Sequence, residues 1–128
     1  MPNHFSLRVY DAACELSRVV YESLEAHDVT RVPGLRGQLL NSVGSIAANT
    51  AEGAGRGSSA QFLHQLRIAL GSANETRTHL MRARSEARLP TKLYFVCDSK
   101  ALVTARMLAS LIRRIEEDEA HRRNERSA

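Results

Sequence analysis

The chain has 128 residues, enough to bury a hydrophobic core in one domain without disulfides or metals. Hydrophobic residues make up 43% of it, tryptophan is absent, and no segment approaches the roughly 20 apolar residues of a membrane span, so we expect a soluble cytoplasmic protein of packed helices. The formal net charge of +4 permits a polyanionic partner without requiring one.

Two cysteines, Cys14 and Cys97, fall where an apolar residue suits a helical stripe. We interpret both as reduced core residues, because free cysteine is among the most buried residue types. A disulfide between two helices stays open at this stage, because its formation depends on geometry. No Cys-x-x-Cys or His-Glu-x-x-His motif occurs, and no metal site is predicted.

Apolar residues at helical spacing predict a first helix over about 6–26, with Ser6 as its N-cap and residues 1–4 as a loose start. Pro33 and Gly34 lie in a connecting segment, and a second helix is expected over 35–53.

Three glycines, Gly53, Gly55 and Gly57, end the second helix, because glycine in a helix interior costs about 1 kcal/mol relative to alanine. We expect Gly53 or Gly55 to adopt the left-handed conformation that closes a helix. Ser58 and Gln61 match a capping box, which predicts the start of the third helix.

The third helix, expected over 58–88, carries one unbroken stripe on a single face. Its members are Phe62, Leu66, Ala69, Ala73, Thr76, Leu80, Ala83 and Ala87. This 4-3-4-3 spacing is typical of a helix packed lengthwise against other helices.

A fourth helix is expected over 91–117, after a turn at Pro90. Beside its main apolar stripe runs a second one, formed by Val96, Val103 and Met107. Two stripes on one helix indicate contacts beyond its own bundle, so we expect a subunit interface there.

The last residues, 119–128, are charged and have no apolar stripe. Pairs between acids and following arginines favour a longer helix, but we expect a frayed tail. The four helices, their short connections and the absence of a strand pattern predict an all-α fold: an antiparallel up-down-up-down four-helix bundle over residues 1–118.

No motif in the sequence predicts a reaction, so we expect no enzyme, no catalytic residue and no cofactor. The glycine-rich segment follows no strand and lacks the spacing of a phosphate-binding loop. Glu75 and His79 stand one turn apart, but no Glu-x-x-His occurs, and we interpret them as a surface pair. The alternative of a metal-dependent bundle enzyme predicts bound iron or zinc in the purified protein.

Positive charge is concentrated in residues 31–92, where nine basic residues stand against three acids. Such a zone is able to bind phosphates, although a solvated basic face is the alternative interpretation. Tyr94 and Phe95 are the only aromatic residues nearby, so base stacking is weakly supported. The candidate nucleic-acid-binding residues are Arg56, Arg67, Arg77, Arg84 and Arg88.

The centre of the chain carries a specific motif around the glycine-rich segment. Its residues are Ser45, Ile46, Asn49, Ala51, Glu52, Gly53, Gly55, Arg56, Ser58, Phe62, Leu66, Ile68, Ala69, Gly71, Ser72 and Glu75. This motif resembles that of the bacterial four-helix-bundle family encoded within intervening sequences of 23S ribosomal RNA genes. The first helix is also similar at Phe5, Leu7, Val9, Tyr10 and Ala13, so the resemblance spans roughly residues 5–115.

The chain departs from the family pattern at several positions. Ala47 stands in place of the family's proline, and Thr50 in place of its isoleucine. Leu40 and Asn41 occupy the positions of a frequent arginine pair, which removes positive charge from that face.

The resemblance implies a four-helix bundle that assembles as a ring-shaped homopentamer. It also implies similarity in fold to the accessory protein of diversity-generating retroelements, which is basic and associates with nucleic acid and a reverse transcriptase. It implies no catalytic residue.

We interpret the matched motif as structural. We expect Asn49 and Glu52 to bind exposed backbone donors or Arg56, and Gly71 to allow close helix contact. The residues assigned this structural role are Asn49, Glu52, Gly53, Gly55, Arg56, Ser58, Phe62, Gly71 and Glu75.

Two functional hypotheses follow from these observations. The first is a homo-oligomeric scaffold, most readily a pentamer, that binds RNA or DNA through a basic face. The second is an oligomeric adaptor that binds a protein, of unknown identity, and has no affinity for nucleic acid.

Overall fold

A computed structural model describes residues 4–127, with side chains from residue 5 onward. It contains four α-helices, and no strand occurs in this range. Each helix contacts the next one along the chain, and the fourth also contacts the first, which gives an antiparallel bundle. The predicted all-α fold is confirmed. The helices are α1 (His4–Ala26), α2 (Leu35–Ala54), α3 (Ser59–Glu86) and α4 (Thr91–Ser127).

The core lies along the bundle axis and is built mainly of leucine, valine and alanine from all four helices. All eight residues of the predicted α3 stripe are buried, because their spacing keeps them on one face through the whole helix. The largest fully buried side chains include Leu16, Leu39, Leu66, Leu80 and Leu108.

The start of α1 differs from the prediction in two respects. Residues 1–3 of the expected loose start lie outside the described residues, while His4 already belongs to α1. Ser6 is therefore a helical residue, 2% exposed, and not the N-cap.

The two cysteines differ in environment, and neither forms a disulfide. Cys97 is buried as predicted, next to Ser23, and burial raises the pKa of its thiol. The prediction for Cys14 was wrong: this side chain is exposed. It lies on the outer face of α1 near Leu7 and Tyr10, which are also exposed, so apolar character alone did not indicate the core.

The corner between α2 and α3 closes without a left-handed glycine. Gly55 has φ −85°, and within residues 4–127 the only positive φ values belong to Gly34 and Arg88. Gly53 is needed for a different reason: a Cβ there would lie 2.8 Å from Gln65 Cβ and 2.9 Å from Phe62 Cδ1. The expected conformation was therefore wrong, because the constraint at this corner is space.

The third helix begins as predicted, with Ser58 as its N-cap. The Ser58 hydroxyl accepts a hydrogen bond from the Gln61 backbone N–H at 3.2 Å, which satisfies one of the exposed donors of the first turn. Phe62 then enters the core one turn later, 5% exposed.

Polar side chains join α2 to α3 along the seam beside this corner. The Ser45 and Ser72 hydroxyls are 2.9 Å apart, and the Thr76 hydroxyl donates to the Ser42 hydroxyl at 2.9 Å. Asn49 was expected to bind exposed backbone donors or Arg56, but its amide donates to the carbonyl and hydroxyl oxygens of Ser45, both at 2.8 Å. It therefore supports the seam one turn back.

Gly71 does not mediate close helix contact, contrary to the prediction. A Cβ added there would meet no atom within 4 Å, because this position faces outward on α3. Sequence pattern alone does not distinguish a glycine that fits a gap from one that faces open space.

The fourth helix continues to Ser127, beyond the predicted end near 117 and through the expected frayed tail. Residues 121–127 are all exposed. Pairs within the helix join Glu119 to Arg122 at 2.9 Å and His121 to Glu125 at 3.0 Å. The Glu119–Arg122 ion pair and the His121–Glu125 contact therefore stabilise this part of the helix, which has no apolar stripe to bury.

We predict that Gly53→Ala lowers the free energy of unfolding by about 1–3 kcal/mol, because the new methyl group overpacks the α2–α3 corner. The matched control, Gly71→Ala, adds a methyl group in open space and should raise stability by about 0.5–1 kcal/mol. Urea denaturation followed by circular dichroism measures both variants. Equal changes in the two variants would contradict this account of the corner.

Candidate nucleic-acid interface

Arg77 lies between α3 and α4 and is held by Asp98. Its Nε and Nη2 atoms donate to the two carboxylate oxygens at 2.9 and 3.2 Å, a bidentate geometry. The Asp98 side chain is only 14% exposed, and its hydrogen bonds raise the pKa of Arg77. This arginine therefore neutralises a carboxylate inside the helix seam.

Two further candidates are also paired with acids. Arg67 donates to Glu116 of α4 at 2.6 Å, and Arg56 donates to Glu52 one helical turn before it. The expected contact between Glu52 and Arg56 is thus present. Both pairs are roughly half exposed, so water and salt screen their attraction and they contribute little to the free energy of unfolding.

Arg84 has a different environment, at the end of the bundle where α3 turns into α4. Its guanidinium carbon lies 5.0 Å from the centroid of the Tyr94 ring and 5.3 Å from that of Phe95. Tyr94 is buried, whereas Phe95 is 53% exposed. An arginine placed over an accessible aromatic ring is a pattern that single-stranded nucleic acid exploits through stacking and phosphate contact.

Arg88 and Lys92 flank the same turn, and both are exposed. Within the described residues, neither forms an ion pair. Arg88 has a positive φ of 57°, and the Leu89 backbone N–H donates back to Ala83 at 2.9 Å, which closes α3. We call the group formed by Arg84, Arg88, Lys92 and Phe95 the turn surface.

The α3–α4 turn packs against the α1–α2 loop at the same end of the bundle. The His27 Nε2 atom lies 2.9 Å from the Ala87 carbonyl oxygen, to which it donates. Val29 and Leu89, one from each loop, are both buried. The turn surface therefore sits on a packed support.

The structure thus divides the five candidate arginines. Arg84 and Arg88 belong to one surface, whereas three arginines are paired with carboxylates. Arg56 pairs with Glu52 at the α2–α3 corner, and Arg67 and Arg77 of α3 pair with acids of α4. The sequence prediction gave Phe95 little weight. What could have indicated its role is its position four residues into α4 after Thr91, near the basic residues Arg88 and Lys92.

The predicted pair of Glu75 and His79 is wrong, since no ion pair or hydrogen bond joins the two side chains. Glu75 is exposed, while the Nδ1 atom of His79 is buried without a hydrogen-bond partner. Within residues 5–127, no group of three or more His, Cys, Asp or Glu side chains is placed to hold a metal ion. Over the described part of the chain, no helix has the length and apolar character needed to cross a bilayer.

The second stripe of α4 lies outside the bundle core. Val96 is 43% exposed and Val103 is 53% exposed, while Met107 is half-buried beside α1. Val96 and Val103 of the predicted stripe are therefore not covered within the described residues, whereas Met107 packs against the core.

Together, these features define an antiparallel four-helix-bundle protein with a basic aromatic surface at one end and an uncovered apolar stripe on its last helix. The sequence model of the 23S rRNA-intervening sequence proteins matches residues 6–110. The chain belongs to this family.

The chain is similar over most of its length to a solved structure, the 1.70 Å crystal structure of a protein of unknown function from the S23 ribosomal protein family of Bacteroides thetaiotaomicron. The two share 26% identity, with 85% of this chain and 98% of that chain covered, and the TM-score is 0.77. No curated protein is significantly similar to the chain.

We predict that Arg77→Leu lowers the free energy of unfolding by about 1–3 kcal/mol, because the largely buried Asp98 carboxylate loses its partner. Arg67→Leu, which breaks an exposed pair, should change it by less than about 1 kcal/mol. The double variant Arg77→Leu/Asp98→Leu should regain most of the loss. Chemical denaturation measures all three, and equal losses for Arg77→Leu and Arg67→Leu would contradict a structural role of Arg77.

Proposed function

We propose that this protein is a non-enzymatic cytoplasmic homo-oligomer that binds single-stranded RNA through its turn surface. The observation that carries the proposal is the position of Arg84 over Tyr94 and the exposed Phe95. The ring-shaped pentamer that the family resemblance implies supports five subunits. A ring would repeat the turn surface once per subunit and multiply its affinity for one long polyanion.

Ion pairing favours RNA binding at the turn over binding at the middle of α3. Arg88 and Lys92 form no ion pair within the described residues, so phosphates have no internal carboxylate to displace. At Arg67 and Arg77 a phosphate would have to compete with Glu116 and Asp98. The free energy gained by counterion release is then partly lost.

We predict that Arg84→Gln/Arg88→Gln weakens binding of a short mixed-sequence single-stranded RNA. It should also lower the slope of log affinity against log salt concentration by about 1.4, because each phosphate contact on a single strand contributes about 0.7. Fluorescence anisotropy at several salt concentrations between about 50 and 200 mM measures both effects.

The matched control is Arg56→Gln/Arg67→Gln, which removes the same charge from two arginines already paired with acids. It should leave the affinity and the salt slope nearly unchanged. Equal effects in both double variants would indicate a diffuse basic face. If the unmodified protein shows no detectable RNA binding at low salt, the proposed function is wrong.

A second candidate function, a protein-binding oligomeric adaptor, is favoured by the exposed stripe of α4. Val96 and Val103 leave apolar surface in water two helical turns apart on one side of α4, and exposed apolar surface can mark an interaction site. The same stripe is the surface through which we propose that subunits assemble. A partner protein retained in pull-downs, with no salt-sensitive retention of RNA, would favour the adaptor.

We predict that Val103→Glu converts the oligomer to smaller species, because a buried unpaired carboxylate opposes association. The control is Ile68→Glu, which places the same charge at a 40% exposed apolar residue on α3. Size-exclusion chromatography with light scattering should give a mass near five times 14.2 kDa for the unmodified chain and the control. A monomeric unmodified protein, or an unchanged mass for Val103→Glu, would contradict assembly through α4.

A further inference from the structure

A second cationic site lies at the opposite end of the bundle, where the start of α1 meets the later part of α4. Here the two helices enclose an open cleft of about 690 Å³, within the usual size range of small-molecule sites. The apolar residues Val103 and Met107 line it together with four arginines. They are Arg8, Arg106, Arg113 and Arg114.

These arginines are not neutralised by acids. Within the described residues, none of the four forms an ion pair, although Glu117 and Asp118 also line the cleft one turn after Arg113 and Arg114. Arg114 instead lies over the Phe5 ring, with its guanidinium carbon 4.0 Å from the ring centroid. Four arginines against two acids leave the cleft with a positive charge.

The arginines and the apolar residues of the cleft together match a ligand with several phosphates. Arg106 and Arg113 are two helical turns apart on α4, which separates their backbones by about 10 Å. Guanidinium groups spread over this distance can contact successive phosphates of one chain, and each planar group binds phosphate oxygens in pairs. The side chains of Val103 and Met107 in the same cleft suit a flat ring attached to such a chain.

We infer that this cleft binds a nucleoside 5′-polyphosphate, supplied either as a free nucleotide or as the 5′-triphosphate end of an RNA. The arginines contact the phosphates, and the base lies against Val103 and Met107. Glu117 and Asp118 also line the cleft and oppose binding of the phosphates. The site shares no residue with the turn surface and does not depend on RNA binding there. It shares Val103 and Met107 with the stripe proposed for assembly, so the base and a neighbouring subunit compete for that surface.

Isothermal titration calorimetry with inorganic triphosphate, ATP and UTP tests this inference. We expect ATP and UTP to bind at low salt, both more tightly than inorganic triphosphate. Arg113→Gln/Arg114→Gln should weaken ATP binding roughly tenfold or more, because two charge-assisted contacts are lost. Glu117→Gln/Asp118→Asn should tighten it.

The control is Arg123→Gln, an exposed arginine of α4 beyond the cleft that forms no ion pair within the described residues. It should leave ATP binding unchanged, as should Arg84→Gln/Arg88→Gln at the turn surface, so that the two sites are tested separately. Absence of ATP binding overturns the inference, as does an equal loss in Arg123→Gln. Equal affinity for ATP and inorganic triphosphate overturns the part that concerns the base.

Competition with RNA identifies the source of the ligand. If an RNA with a 5′-triphosphate displaces ATP and the same RNA with a 5′-hydroxyl does not, the cleft recognises an RNA end. If neither RNA displaces ATP, the ligand is a free nucleotide. Equal displacement by both RNAs would show recognition of internal phosphates and would overturn the inference. Because Val103 and Met107 also belong to the second stripe of α4, the mass of each variant is measured in the same buffer.

Discussion

The close approach of α2 and α3 at Gly53 is the constraint on which the bundle depends. A Cβ at Gly53 would clash with Gln65 and Phe62, so the backbone of α2 lies directly against side chains of α3 at this corner. Farther along the same seam, the Ser45 and Ser72 hydroxyls are 2.9 Å apart. Much of the family motif is therefore explained by packing and capping at one corner.

The packing of α3 also determines which positive charges are available to a ligand. Because α3 lies against α4 along its length, Arg77 is brought to Asp98 and Arg67 to Glu116. A basic zone in the sequence is in this way partly neutralised by acids from another helix. What remains accessible lies at the two ends of the bundle, where Arg84 covers aromatic rings and arginines of α1 and α4 line a cleft.

The sequence alone predicted the fold, but it did not predict which charged residues pair and which remain available at the candidate site. A periodic stripe repeats a local rule many times, so the buried face of α3 followed directly from spacing. Arg77 and Asp98 are 21 residues apart, and their pairing depends on how two helices are rotated against each other. The same holds for Gly53 and Gly71, since only the neighbouring helix decides which glycine lacks space. Arg113 and Arg114 were missed because the acids that follow them hide their charge in any regional sum.

The central claim is that RNA contacts the turn between α3 and α4 and leaves the paired arginines of α3 in place. Ultraviolet crosslinking of an RNA that contains 4-thiouridine, followed by mass spectrometry of tryptic peptides, tests it most directly. The account predicts adducts on the peptide 93–100, which carries Phe95. Adducts concentrated on the peptide 57–67 of α3, with none on 93–100, would contradict it.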